Sequence, residues 1–356
     1  MLKVDLDKNK ILLGLSGGVD STAAALLMKK KGLQVTGLFF DVNETKGKAS
    51  ESAEYTAKQL EIDFIYKNVN KLFSNIVIRN FCKEYTEGRT PNPCIICNPN
   101  VKFKTLIEEA DKIGAYYIGT GHYAGVFFNE NNGCYYIKQA ENINKDQSYI
   151  LYRLGQEILS RLFLPLNNIP DKEITRNLVR TEEISNSEQK DSQEICFISK
   201  DENYIDYIKS KGHKSKPGKF IDKNGGYLGK HAGLINYTIG QRKGLGITLG
   251  KPVFVSEVNH NNNTVTLGDN EDLFRIKVIS KDNVFVFPEG ASHEIYNNAS
   301  VTAKIRYAGK PMAAALKILE NGFVETNFEE RQRAVTPGQS IVFYQDNLVI
   351  GGGYIV

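Results

Sequence analysis

LLGLSGGVDSTAAALLMKKKG, residues 12–32, reads as the end of a buried strand, a glycine-rich loop, and a helix of good helix formers closed by Gly32. Within the loop, SGGVDS, Gly17 and Gly18 let the backbone come close to an anion. Successive N–H groups there form a concave nest, and the following helix points its positive end at the same spot. Ser16 and Ser21 add hydroxyl donors. The commonest phosphate loop carries a lysine directly after its last glycine, for chemistry at a terminal phosphoryl group. Here that position is Val19. A loop without the lysine suits a site that holds pyrophosphate as a leaving group while something attacks the α-phosphate, with Asp20 placed to help hold Mg²⁺. For two glycines alone, a ligand-free strand-to-helix turn is the plain alternative.

The neighbouring sequence sets this loop in an α/β domain. Candidate strands KILLGL, VTGLFF, DFIYKNV and YYIGTG alternate with helical stretches, STAAALLMKKKG and ASESAEYTAKQL among them, across residues 10–125. That pattern predicts a doubly wound parallel sheet buried on both faces. Right-handed crossovers put the strands' carboxyl ends on one edge, where SGGVDS and GTGHYA both fall. From residue 206 the elements shorten, and KPGKF, GGYLG and QRKGLG read as turns between small strands. Beyond 273 alternation dominates: Val301, Ala303, Ile305 and Tyr307 fall on one face, Thr302, Lys304 and Arg306 on the other, and a TPGQ turn precedes SIVFY. The expected organisation is an α/β domain over 1–205, a small basic and mostly β domain over 206–272, and a C-terminal β-barrel over 273–356.

At 356 residues and 41% hydrophobic content the chain can bury a full core. Its N-terminus has too short an apolar run for a signal-peptide core or a membrane span, so the expectation is a soluble, intracellular protein. Five cysteines, Cys82, Cys94, Cys97, Cys134 and Cys196, are too sparse for a secreted disulfide framework. The net charge of +4 is unevenly spread: residues 209–251 hold ten Lys or Arg and one acid, Asp222, leaving 35 basic against 40 acidic residues elsewhere. This segment, which includes His213 and His231, is either a solvated surface or a face for a polyanion such as a nucleic-acid backbone.

SGGVDS resembles the PP-loop of the N-type ATP pyrophosphatases, which transfer AMP to a carbonyl or carboxylate oxygen. An oxygen so activated needs a nucleophile to displace the AMP. RTPNPCIICN supplies Cys94 and Cys97, and KDSQEICFI supplies Cys196. Read locally, Cys196 between Ile195 and Phe197 looks like a small buried hydrophobe, and CxxC suggests a redox pair or half a zinc site; no second CxxC completes the latter. Cys97 lies shortly before a candidate helix, a position that lowers a thiol pKa.

SGGVDS, RTPNPCIICN, KFK, GTGHYA, KDQSYIL, KDSQEICFI, YTIGQRKGLGI and TPGQS, in this order, resemble the bacterial tRNA-specific 2-thiouridylases from the first strand to the final GGGYIV. The resemblance implies a three-domain, cytoplasmic enzyme that uses ATP with Mg²⁺ to place sulfur at C2 of the wobble uridine of Lys, Glu and Gln tRNAs. It also implies a sulfur-donor protein and a thiol reductant as partners, and no membrane. Carried over by motif, Cys97 is the nucleophile and Cys196 the persulfide carrier, the two ending as a disulfide. Gly14, Leu15, Ser16, Gly17, Gly18, Val19, Asp20 and Ser21, with Phe40 and Gly121, would bind ATP. Asn92, Pro93, Cys94, His122, Lys145, Asp146, Gln147, Arg306, Tyr307 and Gln339 would contact tRNA. Some family members carry an acid where this chain has Cys94, so an acid–base role for that position does not transfer. Two other readings stay open: a different PP-loop adenylating enzyme, such as an amidotransferase or lysidine synthetase, and a non-catalytic RNA-binding protein with a vestigial loop.

Overall fold

The run Ile11, Leu12, Leu13 is wholly buried, as expected of the middle strand of a sheet covered on both sides. The computed structural model describes residues 6–43, 47–186, 195–199 and 201–356. The first five residues and the KDSQE part of KDSQEICFI therefore lie outside the described residues. Two compact units emerge, one of residues 1–76, 94–193 and 347–349, the other of 77–93, 194–346 and 350–356.

In the first unit, strands β1 (Asp7–Gly14), β2 (Gln34–Asp41), β3 (Asp63–Asn68) and β4 (Ala115–Thr120) run parallel. An antiparallel hairpin follows, β5 (Ala124–Asn129) and β6 (Cys134–Gln139), and then the short β7 (Leu162–Phe163). The sheet order is β3-β2-β1-β4-β7, so the chain changes direction of travel between β1 and β4. Ligands of such sheets bind in the crevice outside that switch point. Between the strands run α1 (Val19–Lys30) and α2 (Lys48–Gln59). Ala23, Ala24, Ala25 and Met28 bury the first of these against the sheet, each side chain fully covered. Burying each of the large apolar side chains is worth roughly 1.5–3 kcal/mol. Helix α1 ends as predicted: Gly32 takes φ +81°, and the N–H groups of Gly32 and Leu33 return to the carbonyls of Lys29 and Met28. Further along are α3 (Pro93–Cys97), α4 (Phe103–Lys112) and α5 (Lys172–Thr181).

The second unit holds a four-stranded sheet and a barrel. The sheet comprises β8 (Gly218–Ile221), β9 (Tyr227–His231), β10 (Phe254–Asn259) and β11 (Thr264–Gly268), in the order β10-β11-β8-β9. Its core packs Phe220, Leu234, Tyr237, Val255, Val265 and Leu267. The barrel strands are β12 (Phe274–Phe285), β13 (Ser300–Lys304), β14 (Met312–Ile318), β15 (Val324–Arg333), β16 (Ser340–Gln345) and β17 (Leu348–Ile355). They follow the order β12-β15-β14-β13-β16-β17, and pairing of β12 with β17 closes the ring, removing exposed edges. Two side chains depart from the expected alternation. Because β13 ends at Lys304, Tyr307 lies in the turn beyond it and is 39% exposed, while Lys304 is buried. Among the described residues no helix is long and apolar enough to cross a membrane.

Candidate functional site

The loop after β1 is shaped by one glycine that nothing else could replace. Gly17 has φ +78°, and a Cβ there would lie 2.9 Å from the backbone nitrogen of Ala53 on α2. Hydroxyls lock the rest: Ser21 Oγ donates to Gly18 O at 2.9 Å and accepts from Ser16 N at 3.2 Å, and Thr22 Oγ1 donates to Gly18 O at 3.0 Å. Asn186 braces the loop from outside, its amide donating to Gly17 O at 2.7 Å and to Thr22 Oγ1 at 2.8 Å. Nothing in the local sequence marks Asn186, which is 169 positions from the carbonyl it holds.

Gly14, Phe40 and Gly121 gather around this loop. A Cβ on Gly14 would sit 3.2 Å from the ring edge of Phe40, so a glycine here lets the aromatic ring lie across the end of β1. A Cβ on Gly121 would meet the backbone of Asp20 and Ser21 at 2.8 Å, so the close approach at Gly121 is to the loop itself. Asp20, in the first turn of α1, is held at both oxygens: Lys172 Nζ at 3.0 Å and Tyr123 Oη at 2.9 Å. The Tyr123 hydroxyl also meets Thr175 Oγ1 at 2.9 Å, which joins α5 to the loop. Lys172 and Tyr123 escape sequence reading, because they join the loop only through the fold. A cation beside the loop is thus present, supplied from α5 rather than from the loop's own sequence.

The helical turn carrying Cys97 begins earlier than expected. Helix α3 starts at Pro93, whose fixed φ suits a first helical position. The chain then passes through a wider π turn, Asn98–Lys102, into α4. Cys97 is therefore inside a helical run, not ahead of one. Asn98 is buried and its amide donates to Ile150 O at 2.8 Å, anchoring the residue next to Cys97, which is itself half-buried. Cys94 is exposed.

His122 is buried, with Nδ1 2.6 Å from Thr120 Oγ1 and its ring stacked on Phe103. Burial, with Lys102 nearby, pushes its pKa well below the usual histidine value, so it is neutral at pH 7. Asp146 is also buried and turned onto its own loop, accepting from Ala140 N and Ser148 N at 3.1 Å and from Ser148 Oγ at 2.7 Å. Gln147 Oε1 accepts from Tyr123 N at 2.9 Å. Lys145 is half-buried in the same turn.

In the second unit, Cys196 is exposed, against the buried placement that its apolar neighbours suggest. A turn closed by Ile198 N on Ile195 O at 3.0 Å presents it, and Phe197 plugs in behind, its ring 5.3 Å from those of Phe81 and Tyr207. The segment before Asn92 is strapped down. Arg89 makes a two-pronged bond to Glu84 at 2.6 and 2.7 Å and pairs with Glu87. Thr90 N donates to Pro337 O at 2.9 Å, and Gln339 Nε2 donates to Thr90 O at 2.7 Å. Arg306 is exposed, with Nη1 3.4 Å from Arg333 O.

Comparison with known proteins gives three family-model matches: the tRNA methyl transferase HUP domain over residues 9–200, the tRNA methyl transferase PRC-barrel domain over 205–269, and the aminomethyltransferase β-barrel domain over 280–355. Among curated relatives, proteins named tRNA-specific 2-thiouridylase MnmA from Clostridium perfringens (strain ATCC 13124) and Clostridium beijerinckii are each 42% identical, covering 98% of this chain and 99% of their own. One from Clostridioides difficile (strain 630) is 42% identical over 97% of this chain and 98% of its own. Among solved structures, an NMN synthetase from Francisella tularensis aligns with 51% of this chain and 66% of its own at 16% identity and a TM-score of 0.34.

Proposed function

The chain belongs to the tRNA-specific 2-thiouridylase family and is a tRNA-uridine 2-sulfurtransferase, and on that premise we propose that it converts the wobble uridine of Lys, Glu and Gln tRNAs to 2-thiouridine in the cytoplasm. The observation that carries this reading is the 42% identity, over 98% of the chain, with relatives bearing that name. The lysine-free loop on α1 supports the use of ATP for adenylation.

ATP lies with its phosphates on the N–H groups of Gly14 to Ser21 at the positive end of α1, and with Phe40 against its adenosine part. Mg²⁺ would come with those phosphates, and Asp20, whose oxygens already meet Lys172 and Tyr123, would help hold it by sharing its carboxylate with Lys172. Among the described residues no group of three or more His, Cys, Asp or Glu could hold a metal ion. The uracil O2 attacks the α-phosphorus, the bond to the β-phosphate breaks, and pyrophosphate leaves. C2 then carries AMP as a leaving group.

Cys97 thiolate attacks the inner sulfur of a persulfide on Cys196, the two cysteines join, and hydrosulfide departs to add at C2. Collapse of the adduct expels AMP. In the other order the terminal persulfide sulfur adds to C2 and expels AMP, and Cys97 then attacks Cys196 Sγ, breaking the S–S bond and releasing the thiouridine. Both orders end in a Cys97–Cys196 disulfide. An external thiol supplies two electrons to reopen it, and a sulfur-donor protein reloads Cys196.

Asn92, Pro93, Cys94, His122, Lys145, Asp146, Gln147, Arg306, Tyr307 and Gln339 are the proposed tRNA contacts. For buried His122 and Asp146 the contribution is to shape the surface that their neighbours present. The proposed division of labour is adenylation by residues 1–205, tRNA binding by 206–272, and further tRNA contact by the barrel of 273–356. The decisive experiment is mass spectrometry of tRNA nucleosides after incubation with ATP, Mg²⁺ and a persulfide source. Exchange of one oxygen for sulfur at the wobble uridine is expected. AMP formation without that exchange would point to a different adenylating enzyme.

A further inference from the structure

The basic segment of residues 209–251 is not uniformly solvated. Lys209, Lys223 and Lys251 are matched by Asp206, Asp272 and Asp269, at 3.7, 3.8 and 2.8 Å. Lys219 and Lys230 are placed otherwise. Strands β8 and β9 pair antiparallel with Lys219 directly opposite Lys230, and with Ile221 opposite Tyr227. Phe220, between them in sequence, points into the core, so both lysines stand on the outer face. Directly opposed like charges destabilise a strand pair. Among the described residues neither ammonium has a carboxylate partner to relieve this.

Beside the two lysines lies an aromatic ring that the fold leaves uncovered. Tyr227 is 62% exposed. Pro217, Gly218, Lys219, Tyr227 and Lys230 together wall a hollow of about 540 Å³, within the range of small-ligand pockets. Its floor is rigid. His231 is buried behind it, with Nδ1 accepting from Gly233 N at 3.0 Å and Nε2 against Asn263 O at 3.2 Å. Any Cβ on Gly218 would strike that ring and the Asn263 carbonyl. Burial lowers the His231 pKa, so the positive charge here is that of the lysines.

Two unpartnered ammoniums next to an open phenol ring match one repeating chemistry, a phosphodiester joined to a flat base. We propose that this hollow is a nucleotide subsite, in which Lys219 and Lys230 hold a backbone phosphate and Tyr227 stacks on an unpaired base of the substrate tRNA other than the wobble uridine. The inference rests on the tRNA reading above and adds to it a defined place and a preference for an unstacked nucleotide. A paired base would leave the ring without use, and an acidic peptide would engage the lysines but not require the ring.

The test uses the full chain and substrate tRNA, with fluorescence anisotropy across a salt series and steady-state thiolation kinetics. Joint Lys219→Gln and Lys230→Gln substitution is expected to raise Kd by about tenfold and to lower the slope of log Kd against log salt by about 2. Tyr227→Ser is expected to raise Kd by about tenfold with the salt slope retained, because stacking releases no counterions. In both, the loss falls on KM for tRNA rather than on kcat; the melting temperature is unchanged in Tyr227→Ser and is not lowered in the Gln variant, which removes the opposed charges of the β8–β9 pair. The joint Lys→Arg variant, which keeps the charge, binds like the parent. Parent-like affinity and slope in the Gln variant would overturn the proposal. So would intact tRNA binding with impaired sulfur delivery from a donor protein, which would make the patch a protein dock. Failure of the parent chain to bind tRNA or to form AMP would instead sink the functional reading itself.

Discussion

Lys172 Nζ lies 3.0 Å from Asp20 Oδ2, so the first residue of α5 neutralises the second residue of α1, at the mouth of the glycine-rich loop. An incoming phosphate would otherwise meet the Asp20 carboxylate at the very helix end that attracts it. Lys172→Met is therefore expected to weaken ATP binding by roughly ten- to a hundredfold, the effect of losing a charged partner worth about 1.5–3 kcal/mol. Lys172→Arg should retain much of the affinity, and AMP, with no β- or γ-phosphate, should respond less than ATP. Calorimetric titration with a non-hydrolysable ATP analogue measures both. Equal affinities for the analogue in parent and Met variant would remove Lys172 from the phosphate site.

Gly17 and Gly133 separate the two costs of a side chain in the left-handed region. Both have positive φ, +78° and +69°, but a Cβ on Gly133 meets nothing within 4 Å, whereas one on Gly17 collides with α2 at Ala53. Gly133→Ala should cost about 1–2 kcal/mol from backbone strain alone. Gly17→Ala adds displacement of α2, and is expected to lower the melting temperature further and to abolish AMP formation. Matching thermal melts for the two variants would mean that the contact with Ala53 carries no energy.

Gln339 has a structural task as well as a proposed place at the tRNA. Its amide donates to Thr90 O, two residues before Asn92, and both groups lie in the second unit. Gln339→Ala should cost about 1 kcal/mol, a fall of about 2–4 °C in melting temperature, before any RNA is added. If only tRNA affinity changes while the melt stays put, the bond to Thr90 contributes nothing.

Much of the α/β half is legible in the sequence because its signals are local. Ile11 to Leu13 is an unbroken apolar run, the glycines sit at a strand end, and Gly32 stops α1. The hairpin β5–β6 is missed because its strands carry outward Phe127 and Phe128, both more than 40% exposed, which blurs the alternation of a half-buried strand. Tyr307 is misplaced because alternation does not say where β13 stops. The braces of the site are invisible for another reason. Asn186, Lys172 and Tyr123 reach the loop across 169, 152 and 103 positions, distances over which neither periodicity nor capping chemistry carries information.

Buried histidines give the chain an acid-sensitive side. His122 and His231 both have pKa values lowered by burial, the former strongly. The unfolded chain takes up protons near the ordinary value of about 6.5 while the folded chain does not, so stability is present above that pH and is lost as pH falls below it. Each histidine contributes at most about 1.4 kcal/mol per pH unit in that window. Chemical-denaturation midpoints measured downward from neutral pH should therefore decline, and His122→Gln should flatten part of the decline. A variant with a pH dependence identical to the parent would show that His122 binds its proton equally in both states.

Three of the cysteines near the proposed chemistry differ in exposure, and that difference orders their expected roles. Cys196 is exposed at the tip of a turn whose anchor is Phe197, Cys97 is half-buried beside the anchored Asn98, and Cys94 is exposed one helical turn earlier. Replacing the sulfur with oxygen, as in Cys97→Ser or Cys196→Ser, should abolish thiolation while tRNA binding and the melting temperature stay near those of the parent. Loss of tRNA binding in either variant would make the residue structural. Cys94→Ala tests the competing thiol: with Cys94 absent, turnover without added reductant should still end in one disulfide, between Cys97 and Cys196, seen by peptide mass spectrometry. Disappearance of that disulfide in Cys94→Ala would assign the nucleophile to Cys94 instead.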